Sequence, residues 1–282
     1  MNYAQEQVSI IGQFSLATAW QNFCQLPRFL NFRPRYSFRL ETDQYILTTA
    51  NGIPQIYGAL CLRYQCFIYQ NHLLGRFMGL DIDEFDYGCD HIIVIDKKSK
   101  WIIGTYRARA SSFCQSYYSQ GEFELSHFLA TGGIKLELGR ACILENHRNG
   151  AVIDLLWKGI GRYANLCNAQ YIFGCSSVKT TDSSQAKLYM EYFRNQGYYS
   201  DVYGIRPINQ YRRDLSKVMV DKERLQADLQ RELPPLLRTY LSGGALVYGE
   251  PAFDMAFDCI DFLTIMDVGQ LAPSFKRRYF GH

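Results

Sequence analysis

From residue 135 to residue 197 the apolar spacing switches between two periods, and few architectures accept that pattern. KLELGRACIL (135–144) and AQYIFGCSSV (169–178) read as strands. AVIDLLWKGIGRYANLC (151–167), between them, places Val152, Leu156, Ile160, Tyr163 and Cys167 on one helical face. Asp154, Lys158 and Arg162 stand four apart on the opposite face, a ladder of alternating charge suited to solvent. After the second strand, Asp182-Ser183-Ser184-Gln185 has the form of a capping box, and Gly197 suits the end of the helix it opens. Strand, helix, strand, helix requires a sheet covered by helices, which is a mixed α/β fold.

The flanking sequence extends this order. RYSFRLE (35–41) alternates as a strand, and residues 53–69 carry Tyr57, Leu60, Tyr64 and Phe67 at helical spacing. HIIVIDK and WIIGTYRAR flank the polar turn Lys97 to Lys100 as a hairpin. DKERLQADLQREL (221–233) reads as a charged amphipathic helix, and Pro234-Pro235 opens a short one ending at Gly243-Gly244. ALVYGE and IDFLTIMD supply two closing strands. With no repeat and no long linker, the expected organisation is an extension over 1–34 and a single domain over 35–282.

Composition excludes several classes. At 48% hydrophobic and 20% charged residues the chain can bury a core, so it is not disordered. A net charge of +3 argues against an electrostatic coat for nucleic acid. The first basic residue is Arg28, so the start lacks the basic region of a secretory signal, and no run of about 18 apolar residues predicts a membrane span. Nine cysteines, an odd number without zinc-knuckle spacing, fit reduced thiols in a cytoplasmic protein.

Three clusters carry chemistry. In GLDIDEFDYGCDH, Asp81, Asp83, Glu84, Asp86, Asp90 and His91 crowd one loop, without the glycine and distal glutamate of a calcium loop. That set reads either as a solvated acidic loop or as carboxylates that bind a cationic amine and accept its proton. In Glu137-Leu138-Gly139-Arg140 the two charges point to opposite faces of a regular strand, and a bulge at Gly139 would bring them together. The loop Glu145 to Ala151 leads into the strongest helix, whose first N–H groups suit a phosphate, with Arg148, Asn149 and Gly150 beside them. Walker, dinucleotide-binding and G-x-S-x-G motifs are lacking, as is metalloprotease histidine spacing. No metal site is expected.

Taken together, LRYQCF (62–67), DIDEFDYGCDHIIVID (81–96), IIGTYRARA (102–110), FELS (123–126), LELGRACILENHRNGAVIDLLWKGI (136–160), YIFGCSSV (171–178) and the 233–267 tail resemble the GNAT-related N-acyl amino acid synthases. In particular the chain resembles the L-ornithine Nα-acyltransferases, often labelled hemolysin-like, over roughly residues 35–270, with a more distant likeness to acyl-homoserine-lactone synthases. The resemblance implies a GNAT-like, mostly antiparallel sheet flanked by helices, with a bulged central strand. It implies transfer of a long acyl chain from the phosphopantetheine thioester of acyl carrier protein, with no bound cofactor, to the α-amine of an amino acid, ornithine leading. On that basis Glu137, Arg140 and Glu84 are the catalytic candidates, with Glu137 or Glu84 as the base. Asp83 and Asp86 would hold the acceptor's positive charge, Arg63 and Arg107 its carboxylate, and Arg148, Asn149 and Gly150 the donor's phosphate. Arg162, Arg212-Arg213 and Lys276-Arg277-Arg278 are candidate docks for an acidic carrier, and the FKRRYF tail equally suits the inner membrane surface. A signal synthase using S-adenosylmethionine and an idle, membrane-associated protein on the same fold are the competing readings.

Overall fold

A computed structural model describes residues 26–69, 79–220 and 229–281. The extension's first 25 residues and 221–228 of the charged helix lie outside the described residues. Along the chain, β1 (Arg39–Glu41) and β2 (Tyr45–Thr49) lead into helix α1 (Ile53–Tyr64), whose end continues as one π-turn, Gln65–Tyr69. Strands β3 (Asp90–Asp96) and β4 (Ile102–Ala110) form the expected hairpin. Then come α2 (Ser126–Ala130), β5 (Ile134–Ile143), α3 (Ala151–Leu166), β6 (Ala169–Val178), α4 (Ser183–Asn195) and β7 (Tyr199–Ser200). Helix α5 (Pro235–Ser242), β8 (Leu246–Asp254), β9 (Cys259–Asp267) and α6 (Pro273–Tyr279) complete the fold.

These elements make two compact units, one of residues 1–109 with 139–163 and one of residues 110–138 with 164–282. In the first the strand order is β1-β2-β3-β4-β5, and in the second β5-β6-β9-β8-β7, with β5 contributing its second half to the former and its first half to the latter. The β1–β2, β2–β3, β3–β4, β6–β9 and β8–β9 pairs are antiparallel, and β5–β6 and β7–β8 are parallel. This is the mixed, mostly antiparallel α/β arrangement expected from the order of elements. In the first unit, α1 buries Ile56, Ala59 and Leu60 against Ile93 of β3, while Gly159 lets α3 lie on Leu47 and Ile92. In the second, α4 packs Tyr189 and Phe193 on Phe262 of β9. Asp182 caps α4 by accepting from the Ser184 N–H at 2.7 Å, and Lys158 pairs with Asp154 at 3.0 Å on α3, as their spacings predicted. All the cysteines among the described residues are free thiols.

The conformation of β5 decides where chemistry can sit. Its parallel ladder with β6 runs from Ile134 to Glu137, which pairs with Phe173. Three residues on, Arg140 takes φ +51°, a left-handed conformation that costs a non-glycine residue about 1–2 kcal/mol. The left-handed residue is thus Arg140, directly after Gly139, where the sequence had suggested a bulge. Beyond the ladder, Gly174 of β6 packs so tightly that a Cβ there would stand 2.2 Å from the Leu138 carbonyl oxygen. Gly174→Ala should accordingly destabilise the protein by about 3 kcal/mol, the upper end of overpacking costs, because the obstacle is backbone. A urea midpoint unchanged from wild type would show that β5 can yield.

Candidate functional site

The first unit closes a ring of three arginines and three aspartates. Arg63, at the end of α1, is fully buried and reaches Asp81 through Nε at 2.7 Å and Asp86 through Nη1 at 2.6 Å and Nη2 at 3.1 Å. Arg107 of β4 donates from Nη1 to both oxygens of Asp83, at 2.6 and 2.7 Å, and to Asp86 at 3.1 Å. Arg140, left-handed on β5, reaches Asp81 and Asp83, each at 3.3 Å. Every arginine thus bridges two aspartates and every aspartate two arginines, so signs alternate all the way round.

Local structure explains how one loop supplies all three carboxylates. Residues 84–88 form a 3-10 turn, which Asp83 caps by accepting from the Phe85 N–H at 2.9 Å, while Asp86 reaches back to the Asp83 N–H at 2.8 Å. Burial by itself would raise the Asp81 and Asp86 carboxyls, but Arg63, with Arg140 at Asp81 and Arg107 at Asp86, holds both below the ordinary range. The same carboxylates hold the Arg63 guanidinium charged despite its burial. His91, opposite Arg107 on β3 and fully buried, is driven down to about 4 by desolvation and stays neutral at pH 7. Glu84 is exposed on the turn.

The expected ligands of the acceptor, Arg63, Asp83, Asp86 and Arg107, therefore stand together, joined by Arg140 and by Asp81, but they satisfy one another. The most open side of the ring is Asp83 with Arg140, whose side chains are 23% and 17% exposed.

In the second unit Glu137 is held on both oxygens: Oε2 accepts from the Tyr118 N–H at 3.0 Å and Oε1 from the Ser119 N–H at 2.7 Å. It thereby clamps the turn Tyr118–Gly121. Immediately after that turn stands Glu122, only 2% exposed and absent from the sequence-based candidates. Its Oε2 lies 3.4 Å from the Cys175 thiol, which in turn lies 3.4 Å from the Ser119 hydroxyl. Burial, then the charges of Asp261 and Asp254, push the Glu122 carboxyl up to about 8. Burial, then Glu122 and Asp261, raise the Cys175 thiol far above its usual range, so it stays protonated. Glu122 carries no sequence signal of its own, since GEFELS reads as an ordinary polar loop.

Asp261 accepts from Ser177 Oγ at 2.5 Å and from Cys259 Sγ at 3.5 Å. Asp254, Cys259 and Asp261 place their donor atoms within 4.8 Å of one another, the group among the described residues with metal-type convergence. Burial and Asp261 raise the Cys259 thiol, which makes it a poor thiolate ligand.

At the start of α3, Asn149 Oδ1 accepts from the Ala151 N–H at 3.1 Å and Arg148 Nε donates to the Ile143 carbonyl at 3.0 Å. Gly150 takes φ +90° between them. The loop is thus pinned, with Asn149 standing where an anion would meet the first helical N–H. Lys276, Arg277 and Arg278 lie on α6, and no helix among the described residues is long and apolar enough to cross a membrane.

Residues 62–158 match the acetyltransferase (GNAT) domain family model. The chain is 28% identical over 249 residues to an L-ornithine N(alpha)-acyltransferase of Rhizobium meliloti, covering 82% of each protein. It is 27% identical over 250 residues to the enzyme of that name from Rhodobacter capsulatus, covering 83% of this chain and 94% of that one. Among solved structures, an N-acyl amino acid synthase from uncultured soil microbes aligns with 81% of this chain and 93% of its own, at 10% identity and TM-score 0.45.

Proposed function

From its place as an acyltransferase carrying a GNAT domain, we propose that this protein moves a long acyl chain from acyl carrier protein to the α-amine of an amino acid, ornithine foremost, giving a lyso-ornithine-lipid type of product. The observation that carries the reading is the alternating ring. An α-amino acid is a zwitterion, and the open side of the ring offers it a carboxylate and a guanidinium 3.3 Å apart, the more exposed of the two longest pairs in the set. Ammonium can replace Arg140 at Asp83 while the substrate carboxylate takes the released guanidinium, so charge balance is kept throughout. Arg63, Arg107 and Asp86, more deeply buried, hold the corner in place.

In the other unit Glu137 of β5 is the first candidate base, and an exposed N–H on β5 is assigned to the developing oxyanion. Glu84, on the surface of the acidic turn, is the weaker base candidate. Arg148, Asn149 and Gly150 are assigned to the donor's phosphate, and the cations of α6 to the acidic carrier, whose thioester is the co-substrate. Peripheral contact with the inner face of a membrane fits a product of this kind.

Purified protein, long-chain acyl carrier protein or the matching acyl-CoA, and a panel of free amino acids test the reading through thiol release and product mass. Acceptor-dependent release with a mass of acyl plus ornithine, and at least tenfold higher kcat/KM with the carrier protein than with acyl-CoA, is expected. Release that no amino acid stimulates, or a product carrying methylthioadenosine as its by-product, would overturn it.

A further inference from the structure

Two thiols of the first unit meet beside the start of α3. Cys66 lies on the π-turn Gln65–Tyr69 that continues α1, and its Sγ is 3.7 Å from the Ile143 carbonyl oxygen of β5. The same oxygen accepts from Arg148 Nε at 3.0 Å, so thiol and guanidinium converge on one atom. Cys142, the residue before Ile143, hydrogen-bonds to Cys66 through its own thiol. Neither sulfur is cross-linked, and all of these residues belong to the first unit. Reversible thiol oxidation needs a nucleophilic sulfur, a second thiol within its reach and access from solvent. The hydrogen bond from Cys142 and, against burial, the positive charge of Arg148 hold the Cys66 thiol below its usual range. Burial prevails instead at Cys61, Cys89, Cys142, Cys175 and Cys259, which are all raised. Cys66 and Cys142 keep 7% and 8% of their surface exposed, and Arg148 beside them is exposed.

We infer that Cys66 and Cys142 are a redox-active pair, which a peroxide converts into a disulfide tying the end of α1 to β5. Cys66, as thiolate, attacks one peroxide oxygen. The S–O bond forms as the O–O bond breaks, and the departing hydroxide takes up the proton that Cys66 released, giving water. The Cys142 sulfur then attacks the Cys66 sulfur, the S–S bond forms as the S–O bond breaks, and the hydroxyl leaves with the Cys142 proton as a second water. The two thiols lose two electrons in all, and the peroxide gains them. The bond reaches the ring of charges in the same unit. Arg63 stands three residues before Cys66 and Arg140 two before Cys142, and the charges of Arg63 and Asp81 act on the Cys142 thiol. Drawing the sulfurs from hydrogen-bond contact to the about 2.05 Å of an S–S bond shifts the backbone that carries both arginines. Resting on the acyl-transfer reading above, oxidation weakens the ring's hold on the amino acid, and reduction restores it.

The test treats the reduced protein with a small molar excess of hydrogen peroxide, blocks the remaining thiols with N-ethylmaleimide and maps tryptic peptides without reductant. Peptides 64–76 and 141–148 each hold one cysteine, so the expected product is the linked pair, lighter by two hydrogens than their sum. Dithiothreitol should separate it. Arg148→Met should slow its formation at least threefold, and in Cys142→Ser dimedone should trap a sulfenic acid on Cys66. Cys66 that stays open to the maleimide, or that joins another cysteine, would overturn the inference, as would Cys61 and Cys114 reacting as fast as Cys66. Should a variant fail to fold, the wild-type peptide map decides by itself. For the effect on the ring, the oxidised enzyme should show an at least tenfold higher KM for the working amino acid, recovered with dithiothreitol and absent in Cys66→Ser. A linked enzyme with unchanged KM would overturn that effect. If wild type transfers acyl groups to no amino acid, the acyl-transfer reading itself fails, whereas the linked peptides still report on the thiol pair.

Discussion

Arg63→Met is expected to lower stability by about 3–5 kcal/mol, the usual cost of removing one partner from a buried ion pair. Methionine fills much of the arginine's volume, so the loss is electrostatic. Asp81 and Asp86, whose side chains are 3% and 0% exposed, would be left with one arginine each, and Asp86 would lose a two-pronged partner. Against a total stability of roughly 5–15 kcal/mol for an ordinary domain, a loss of that size leaves little margin, so urea unfolding should show a large fall in midpoint.

The pH dependence has a definite sign. In wild type, Asp81 and Asp86 have folded-state pKa values below their unfolded ones. Their contribution is complete above the unfolded value and is lost as pH falls through the folded one. His91, lowered to about 4, acts in the same direction, so stability declines as pH drops from about 6.5 toward 4. Without Arg63 the two carboxyls bind protons more readily when folded, so the variant should lose less, relative to wild type, at pH 4.5 than at pH 7.5. An equal deficit at both values would place the cost in packing and not in charge.

The alternation over 135–197 placed β5, α3, β6 and α4, because the two helices each bury one face and the strands between them are apolar runs of strand length. Strand β2 went unseen, since YILTT follows a turn with little alternation, and β1 shortened from seven expected residues to Arg39–Glu41. The tail reading did not anticipate α6, where Phe275 is buried and anchors the turn of cations. At the site, the acidic loop and the arginines were visible as residue types, and Gly139 drew attention to the stretch of β5 where Arg140 turns left-handed. Their closure into a ring was not visible, because pairing between Arg63, Asp81 and Arg140 depends on elements distant in sequence. Asp254 and Asp261, flanking a hairpin turn, and Glu122, in a loop, gave no spacing to read, and only folding makes them neighbours.

Glu137→Ala should reduce stability by about 3–5 kcal/mol and kcat by two orders of magnitude or more. The carboxylate accepts two charge-assisted bonds, each worth about 1.5–3 kcal/mol, and Ser119, one of the donors, is 1% exposed. Removing it strands those N–H groups and frees the turn that leads to Glu122. Glu137→Gln is the more informative change, because its carbonyl can still accept one N–H while its amide opposes the other, so a smaller loss of about 2 kcal/mol is expected. If Glu137 is an anchor alone, the activity of Glu137→Gln falls only as far as its loss of melting temperature accounts for. If Glu137 is itself the base, kcat should fall by two orders of magnitude or more in the isosteric amide, beyond that same modest fall in melting temperature. The Ala and Gln variants together, each measured for melting temperature and kcat, separate anchor from base.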